Sequence, residues 1–424
     1  MEWREPNGQL PRRFLAPAST SGSVSSRGEV GHRSADVGTF DGERRLSFET
    51  PCRLPIMSGG HLQVVAFKAE NPENETASVR THFFVGGGYV DDGRGRHLLR
   101  GQMYVEKLLP VRGVTQKTPV VLIHGKGMTG TNFLDKPDGG RGWASDFVSR
   151  GYEVYMVDQV FRGRSAWQPG GSGSALPVAF PAELVQDRFT ATGIRKLWPQ
   201  AGKHTQWPGT GLMGDPVFDQ FYASHVQYLE SPAYTEAAMK EAGAALLDAI
   251  AKPALLLGHS QAGQIALLLA DARPNLVKGL ILVEPAGPPF RDVIFSTLPA
   301  RAYGLTDAPL TYHPPVNDPT TDLVRETWPA PDEEHVDCVI QAERPAPRIL
   351  SRLADKPILV VTSESGYHSQ YDYCTVRYLL QAGCSKTEHL ELGSVGIHGN
   401  GHMMFMEKNS HEIFNLLERW IEKM

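Results

Sequence analysis

The strongest chemical signal in the chain is the stretch Leu255-Leu256-Leu257-Gly258-His259-Ser260-Gln261-Ala262-Gly263-Gln264. An apolar run ends at a glycine, a serine follows two residues later among small neighbours, and Ile265-Ala266-Leu267-Leu268-Leu269-Ala270 continues with helical composition. Strand, sharp turn and helix in that order make a nucleophile elbow, which presents a serine hydroxyl from a strained backbone position. The turn needs small residues because both flanking chains pass close by. Gly258, Ala262 and Gly263 supply that room, with Ala262 standing where the pattern G-x-S-x-G has its second glycine. A surface Gly-Ser turn is the bland alternative. The apolar run before Ser260 and the helix-like run after it argue against that alternative.

A serine nucleophile needs a base, a group to orient the base, and donors for the developing oxyanion. In a chain with this elbow the acid precedes the histidine, and the histidine lies in a loop before the last helix. Ile397-His398-Gly399-Asn400-Gly401-His402-Met403-Met404 is that loop. On a helix, His398 and His402 would be spaced as two metal ligands. Gly399 and Gly401 disfavour a helix, and no third ligand of matching spacing stands nearby, so neither metal nor cofactor is expected. His402, nearer the final helix, is read as the base, and His398 as structural.

Two locations compete for the acid. One is the loop after the strand-like run 357–361, with Glu364 nearest and Asp372 beyond it. The other is Glu284, at the end of Leu280-Ile281-Leu282-Val283. A buried strand that ends in a glutamate implies a partner, because an unpaired buried carboxylate is costly. Segment 362–373 reads as an ordinary polar loop, so Glu284 is favoured. The oxyanion donors expected are the backbone N–H of Gln261 and one from His124-Gly125-Lys126-Gly127, where Gly125 allows close approach and Lys126 offers its N–H.

The elements that must position these groups alternate. Arg80–Val85 and Gly101–Leu108 predict an antiparallel opening, preceded by a strand at His61–Phe67. Pro119–Ile123, Tyr152–Asp158, Gly279–Val283 and Pro357–Val361 are near-continuous apolar runs, as expected of parallel strands buried on both faces. Helices are predicted at Trp143–Val148, Tyr234–Ile250 and His411–Lys423. This alternation implies an α/β fold, a mostly parallel central sheet with helices on both faces. Residues 1–45, rich in serine and arginine and poor in large apolar side chains, are expected to be disordered, and 46–424 to form one domain.

The 424 residues are 41% hydrophobic and 21% charged, enough for a large core, and the net charge is −5. There is no basic stripe, which excludes nucleic acid and anionic membrane as partners. Cys52, Cys338, Cys374 and Cys384 form no CxxC and no metal spacing, and are expected to be reduced thiols. With no apolar signal-type core and no run long enough to span a bilayer, a cytoplasmic protein is expected.

A resemblance rests on an ordered set of motifs: Phe83-Phe84-Val85-Gly86-Gly87, Gln102-Met103-Tyr104-Val105, Leu122-Ile123-His124-Gly125, Met128-Thr129-Gly130, Pro137-Asp138-Gly139 with Gly142-Trp143, Val157-Asp158-Gln159 with Gly163-Arg164-Ser165, His259-Ser260-Gln261, Val283-Glu284-Pro285, and Gly396–Met404 except Gly401. Together, from about residue 80 onward, they resemble a small family of bacterial and fungal serine hydrolases of α/β-hydrolase fold whose triad takes a glutamate after the sixth strand. The resemblance implies Ser260, Glu284 and His402 as the triad, and the 24-residue spacing of Ser260 and Glu284 agrees with it. Two departures stand out. Lys126-Gly127 occupies the place of the paired cysteines that follow His-Gly in the bacterial members. The segment 287–348 is also long and rich in proline and aromatic residues, as in the fungal branch, whose members often accompany secondary-metabolite pathways. That segment is expected to form a cap over the site, with Tyr312 and Trp328 lining the substrate pocket. Trp198, within Trp167–Trp207, is expected on the opposite wall.

Three function classes follow. The first is a serine hydrolase cleaving a carboxylic ester or lactone through an acyl-enzyme. The second is a non-hydrolytic enzyme of the same fold, performing cyclisation, condensation or acyl transfer on a polyketide-derived intermediate. The third is a non-catalytic binding protein, disfavoured because all three triad residue types occur in order. The partners expected are a small ester, lactone or polyketide-derived substrate and, as an open option, a second copy of the chain.

Overall fold

The apolar runs assemble into one eight-stranded sheet in the computed structural model, which describes residues 75–168 and 177–424. The strands are β1 (Ser78–Asp91), β2 (His97–Pro110), β3 (Val120–Ile123), β4 (Val154–Asp158), β5 (Ala254–His259), β6 (Val277–Val283), β7 (Ile358–Thr362) and β8 (Thr387–Glu391). They lie in the order β1-β2-β4-β3-β5-β6-β7-β8. β1 and β2 form an antiparallel hairpin, β2 joins β4 antiparallel, and from β4 to β8 every pairing is parallel. The disordered segment expected at 1–45 and the strand expected at His61–Phe67 lie outside the described residues.

Strand alternation sends side chains to two separate cores. Leu256, Leu280, Leu282 and Val360 pack on one face against α3 (Pro232–Ile250), α4 (Gln261–Ala272) and α5 (Asp372–Gln381). Leu255, Leu257, Ile281, Val283 and Val361 pack on the other, against α1 (Trp143–Ser149), α2 (Pro216–Ala223) and α6 (Ser410–Ile421). Central strands buried on both faces explain why their sequences lack polar alternation. The edge strand β8, Thr387-Glu388-His389-Leu390-Glu391, is partly exposed and carries charges, so its sequence lacks the signal that marks the others. The segment 362–373, expected to be loop, contains the start of helix α5.

The excursion between β6 and β7 divides in two. Residues 287–307 run over the carboxyl ends of the strands and roof the cavity described below. The later part folds into an antiparallel ribbon, Arg325–Trp328 with Cys338–Gln341, packed against α5. Cys338 and Cys374 form a disulfide that ties this ribbon to α5. The expectation of reduced thiols is corrected for this pair: 36 residues separate the two cysteines, and only the packing of the ribbon on α5 brings their Cα atoms to 5.2 Å. Cys384 is free and buried. Among the described residues no helix is long and apolar enough to cross a membrane.

Candidate active site

Ser260 sits between β5 and α4 with φ 56° and ψ −120°, a backbone region that residues other than glycine seldom adopt. The strained position is held by the backbone. Ser260 donates its N–H to Val283 at 2.9 Å, and its carbonyl accepts from Gly263 and from Ala286. A Cβ on Gly258 would lie 2.3 Å from the Ala262 carbonyl oxygen, and one on Gly263 would lie 2.4 Å from the Pro285 side chain. The close approach of the β6 loop therefore falls on Gly263, and Ala262 is fully buried where the usual motif has glycine.

Glu284 directly follows β6, also with a positive φ, and its N–H bonds to Val361 of β7 at 2.9 Å. Its side chain is fully buried. Oε2 lies 2.6 Å from Nδ1 of His402, and Oε1 accepts from the Ser363 N–H at 2.9 Å and from the Ser363 hydroxyl. Burial by itself raises this carboxyl's pKa. The facing His368 and His402 imidazoles and the Ser363 hydroxyl outweigh burial and hold it below the usual carboxylate range.

His402 is buried, and burial pushes its pKa below the ordinary imidazole value, with Glu284 opposing part of the shift. It is therefore neutral at neutral pH. Since Nδ1 is committed to Glu284, Nε2 is the nitrogen left for Ser260, and both residues line one cavity of about 350 Å³. The loop that carries His402 is pinned by buried Glu407, which accepts from the Gly401 N–H at 3.0 Å and from the Asn400 amide at 2.7 Å. His259 supports the same loop by donating Nε2–H to the His402 carbonyl at 3.1 Å.

The other two carboxylates considered for the acid each face a different histidine. Glu364 pairs with the exposed His398 at 3.2 Å and accepts from the Gly399 N–H at 2.8 Å. Asp372 meets Nδ1 of His368 at 3.0 Å. His368 also lines the cavity and stacks on His402 at 4.8 Å, but its Nε2 is engaged by the Tyr371 hydroxyl, so both ring nitrogens are occupied. Ligand atoms of Glu284, His368 and His402 lie within 4.8 Å of one another, the kind of cluster that holds a cation. Apart from His402 Nε2, every ring nitrogen and carboxylate oxygen of the three already makes a hydrogen bond to Ser363, His402, Glu284, Asp372 or Tyr371, which fits an oriented imidazole better than a metal.

The expected oxyanion loop runs against the elbow. A Cβ on Gly125 would lie 2.9 Å from Nδ1 of His259 and 3.3 Å from the Ser260 Cβ, so only glycine fits. Gln261 opens α4 directly after Ser260, and with Lys126 it lines the cavity. A residue that sequence reasoning passed over organises this corner. Arg162 is almost wholly buried and donates to the Gly125 carbonyl at 3.1 Å and to the Gln261 side-chain oxygen at 2.7 Å. Burial lowers its pKa to about 9, still protonated at neutral pH. In a trans peptide the C=O and the following N–H point in opposite directions. A guanidinium gripping the Gly125 oxygen therefore fixes and polarises the Lys126 N–H. Arg162 stood in plain view after β4, yet no local pattern tells a buried arginine from a surface one.

The pocket residues expected from composition are corrected. Tyr312 is buried away from the cavity, its hydroxyl 2.7 Å from both the Tyr303 carbonyl and the Tyr378 hydroxyl. Trp328 lies on the ribbon, bonded to Glu326 and covered by the Arg377 guanidinium at 3.2 Å. Both aromatics were needed to bury the excursion against α5, so neither was left to face substrate. Trp198 does not line the cavity either. Its Nε1–H donates to the Ser365 carbonyl at 2.9 Å, and its ring braces Phe295 and Tyr367, which do line it. The walls are instead Phe180, Leu184, Arg188 and Phe189 on one side and residues of 286–307 on the other. Phe189 stacks on His402 at 5.2 Å.

A family model described as the alpha/beta hydrolase family matches residues 120–416. The chain belongs to that family. It is 45% identical over 354 residues, 84% of this chain and 93% of the relative, to a protein described as "Probable secreted lipase phiG" from Fungal sp. (strain ATCC 74256). Among solved structures it is similar to one titled "The Atomic Resolution Structure of a Novel Bacterial Esterase", at TM-score 0.52 and 21% identity over 82% of this chain and 96% of that one, a likeness of fold. This alpha/beta hydrolase is a serine-hydrolase-type enzyme.

Proposed function

We propose that Ser260 attacks the carbonyl carbon of a carboxylic ester or lactone, with His402 as base and Glu284 as the group that orients it. The observation that carries this reading is the 2.6 Å bond from Glu284 to His402 Nδ1, with His402 lining the same cavity as a serine held at φ 56°. His402 takes the hydroxyl proton as the tetrahedral intermediate forms. The N–H groups of Gln261 and Lys126 receive its oxygen, and the imidazolium returns the proton to the leaving alcohol. Water activated by the same histidine then releases the acid. The finer reading of a polyketide-derived substrate is supported by the resemblance to the fungal branch.

For location, the expectation of a cytoplasmic protein stands against a second reading, an oxidising compartment. The Cys338–Cys374 disulfide favours the second, since such bonds persist outside the reducing cytosol. The relative's description as secreted points the same way.

The test of the catalytic reading is Ser260→Ala, assayed on 4-nitrophenyl esters and with a fluorophosphonate label. Turnover should fall by about 10⁴-fold or more, and labelling should vanish while the circular dichroism spectrum is kept. A variant that retains most of its turnover would remove Ser260 from the mechanism.

A further inference from the structure

Two cations face the cavity without a carboxylate of their own. The Lys126 ammonium lies 4.4 Å over the Tyr228 ring, and the Arg188 guanidinium lies 3.9 Å over the Phe295 ring. Among the described residues neither makes an ion pair or a side-chain hydrogen bond. The two acidic residues of the lining are spent elsewhere. Asp292 pairs with Arg301 at 2.8 Å, and Asp307 accepts the Arg301 backbone N–H at 2.8 Å. Asp187, next to Arg188, pairs with Arg195 at 3.1 Å. Behind the wall, Arg162 adds a third positive charge whose hydrogen-bond partners are a carbonyl and an amide. Arg162 and Arg188 both act electrostatically on the phenol of Tyr228, the ring that Lys126 covers. Three cations thus act on one tyrosine, and two of them, Lys126 and Arg188, line the cavity that holds Ser260.

Such an arrangement is costly in the free protein. Burial disfavours the charged forms of both Lys126 and Arg188, and the Arg162 charge opposes that of Lys126 as well. The aromatic faces recover part of this cost by cation–π attraction. An anionic group on a bound molecule would recover more, because a partly desolvated guanidinium offers a planar fork that fits a carboxylate. Glu230 and Asp292 act favourably on Lys126, and Asp187 on Arg188, but burial outweighs them and none of these carboxylates pairs with either cation, so a merely apolar acyl chain would leave that cost in place.

We propose that this cavity selects esters that carry a second, free carboxylate, received between Lys126 and Arg188 while the ester carbonyl meets Ser260. The inference rests on the serine-hydrolase reading of the same cavity and names its substrate class, half-esters of dicarboxylic acids and ester-bearing acids of similar reach.

The experiment compares two esters of identical chain and leaving group, mono-4-nitrophenyl glutarate and its neutral methyl ester. Wild type should favour the acid in kcat/KM by about tenfold or more at low salt, with the ratio shrinking in 0.5 M salt, where the screening length is about 4 Å. Arg188→Leu should bring the ratio close to one, and Arg188→Lys should keep most of it. A second arm needs no turnover. Calorimetry with Ser260→Ala should show monomethyl glutarate binding in preference to dimethyl glutarate, and Arg188→Leu in that background should abolish the preference. Equal rates on the two esters, with Ser260-dependent hydrolysis intact, would overturn the anion site and leave the hydrolase reading standing. Absence of any ester cleavage, with binding of the acid retained, would do the reverse. A preference that survives Arg188→Leu in both arms would also overturn the assignment.

Discussion

Replacing Glu284 by glutamine tests the core of the catalytic reading, and the structure dictates how the amide must sit. The carboxylate accepts on both sides, from Ser363 at Oε1 and from His402 Nδ1–H at Oε2. One of the Ser363 donors is a backbone N–H, which cannot reverse its polarity. The glutamine oxygen must therefore face Ser363, and its NH₂ group must face His402. His402 then has to accept at Nδ1 and carry its proton on Nε2, the nitrogen that should receive the serine proton. Holding an imidazole in the wrong tautomer in a triad of this kind costs about 10⁴-fold in turnover, or about 5 kcal/mol of transition-state stabilisation. Glu364→Gln is the control. That residue bonds the exposed His398 and a loop N–H, and its loss should change kcat/KM by less than about threefold. The two variants are assayed side by side on one 4-nitrophenyl ester, with thermal melts to establish folding. A folded Glu284→Gln enzyme within tenfold of wild type, or an inactive Glu364→Gln enzyme, would refute the assignment of the acid.

Three further outcomes are expected. The acid limb of the kcat/KM profile should fall below pH 6.5, because burial holds the His402 pKa under that ordinary value and the base works only when deprotonated; a limb above 6.5 would contradict the neutral buried histidine. Arg162→Met should lower kcat about 10- to 100-fold with a smaller change in KM, and Arg162→Lys should restore part of it, since the guanidinium orients the Gly125–Lys126 peptide rather than touching substrate; a pure KM effect would give Arg162 a binding role instead. Removing the disulfide by Cys338→Ser with Cys374→Ser should cost about 4 kcal/mol by the loop-closure estimate for a 36-residue separation, read from denaturant melts, and alkylation of the unreduced, denatured wild type should leave both cysteines unmodified.

The parts of this protein that were legible in its sequence are those that neighbours along the chain determine. The elbow is one, because an apolar strand, small turn residues and a helix-forming run specify the turn around Ser260 without reference to anything distant. The parallel strands are another, since burial on both faces writes itself as an unbroken apolar run. Glu284 could be singled out because a carboxylate closing such a run must find a partner. What only the tertiary structure decided depends on where side chains from remote segments meet. Tyr312, Trp328 and Trp198 carry the composition of a pocket, yet packing spent all three on the core and its second layer. The cavity wall fell instead to Arg188, Phe189 and Phe295. Cys338 and Cys374 pair because a ribbon docks on α5, and Arg162 is an internal charge because the loop after β4 turns inward beneath Gly125. Residue type limits what a side chain is able to do. Its direction and its company come from close packing over the whole molecule, which no local window of sequence contains.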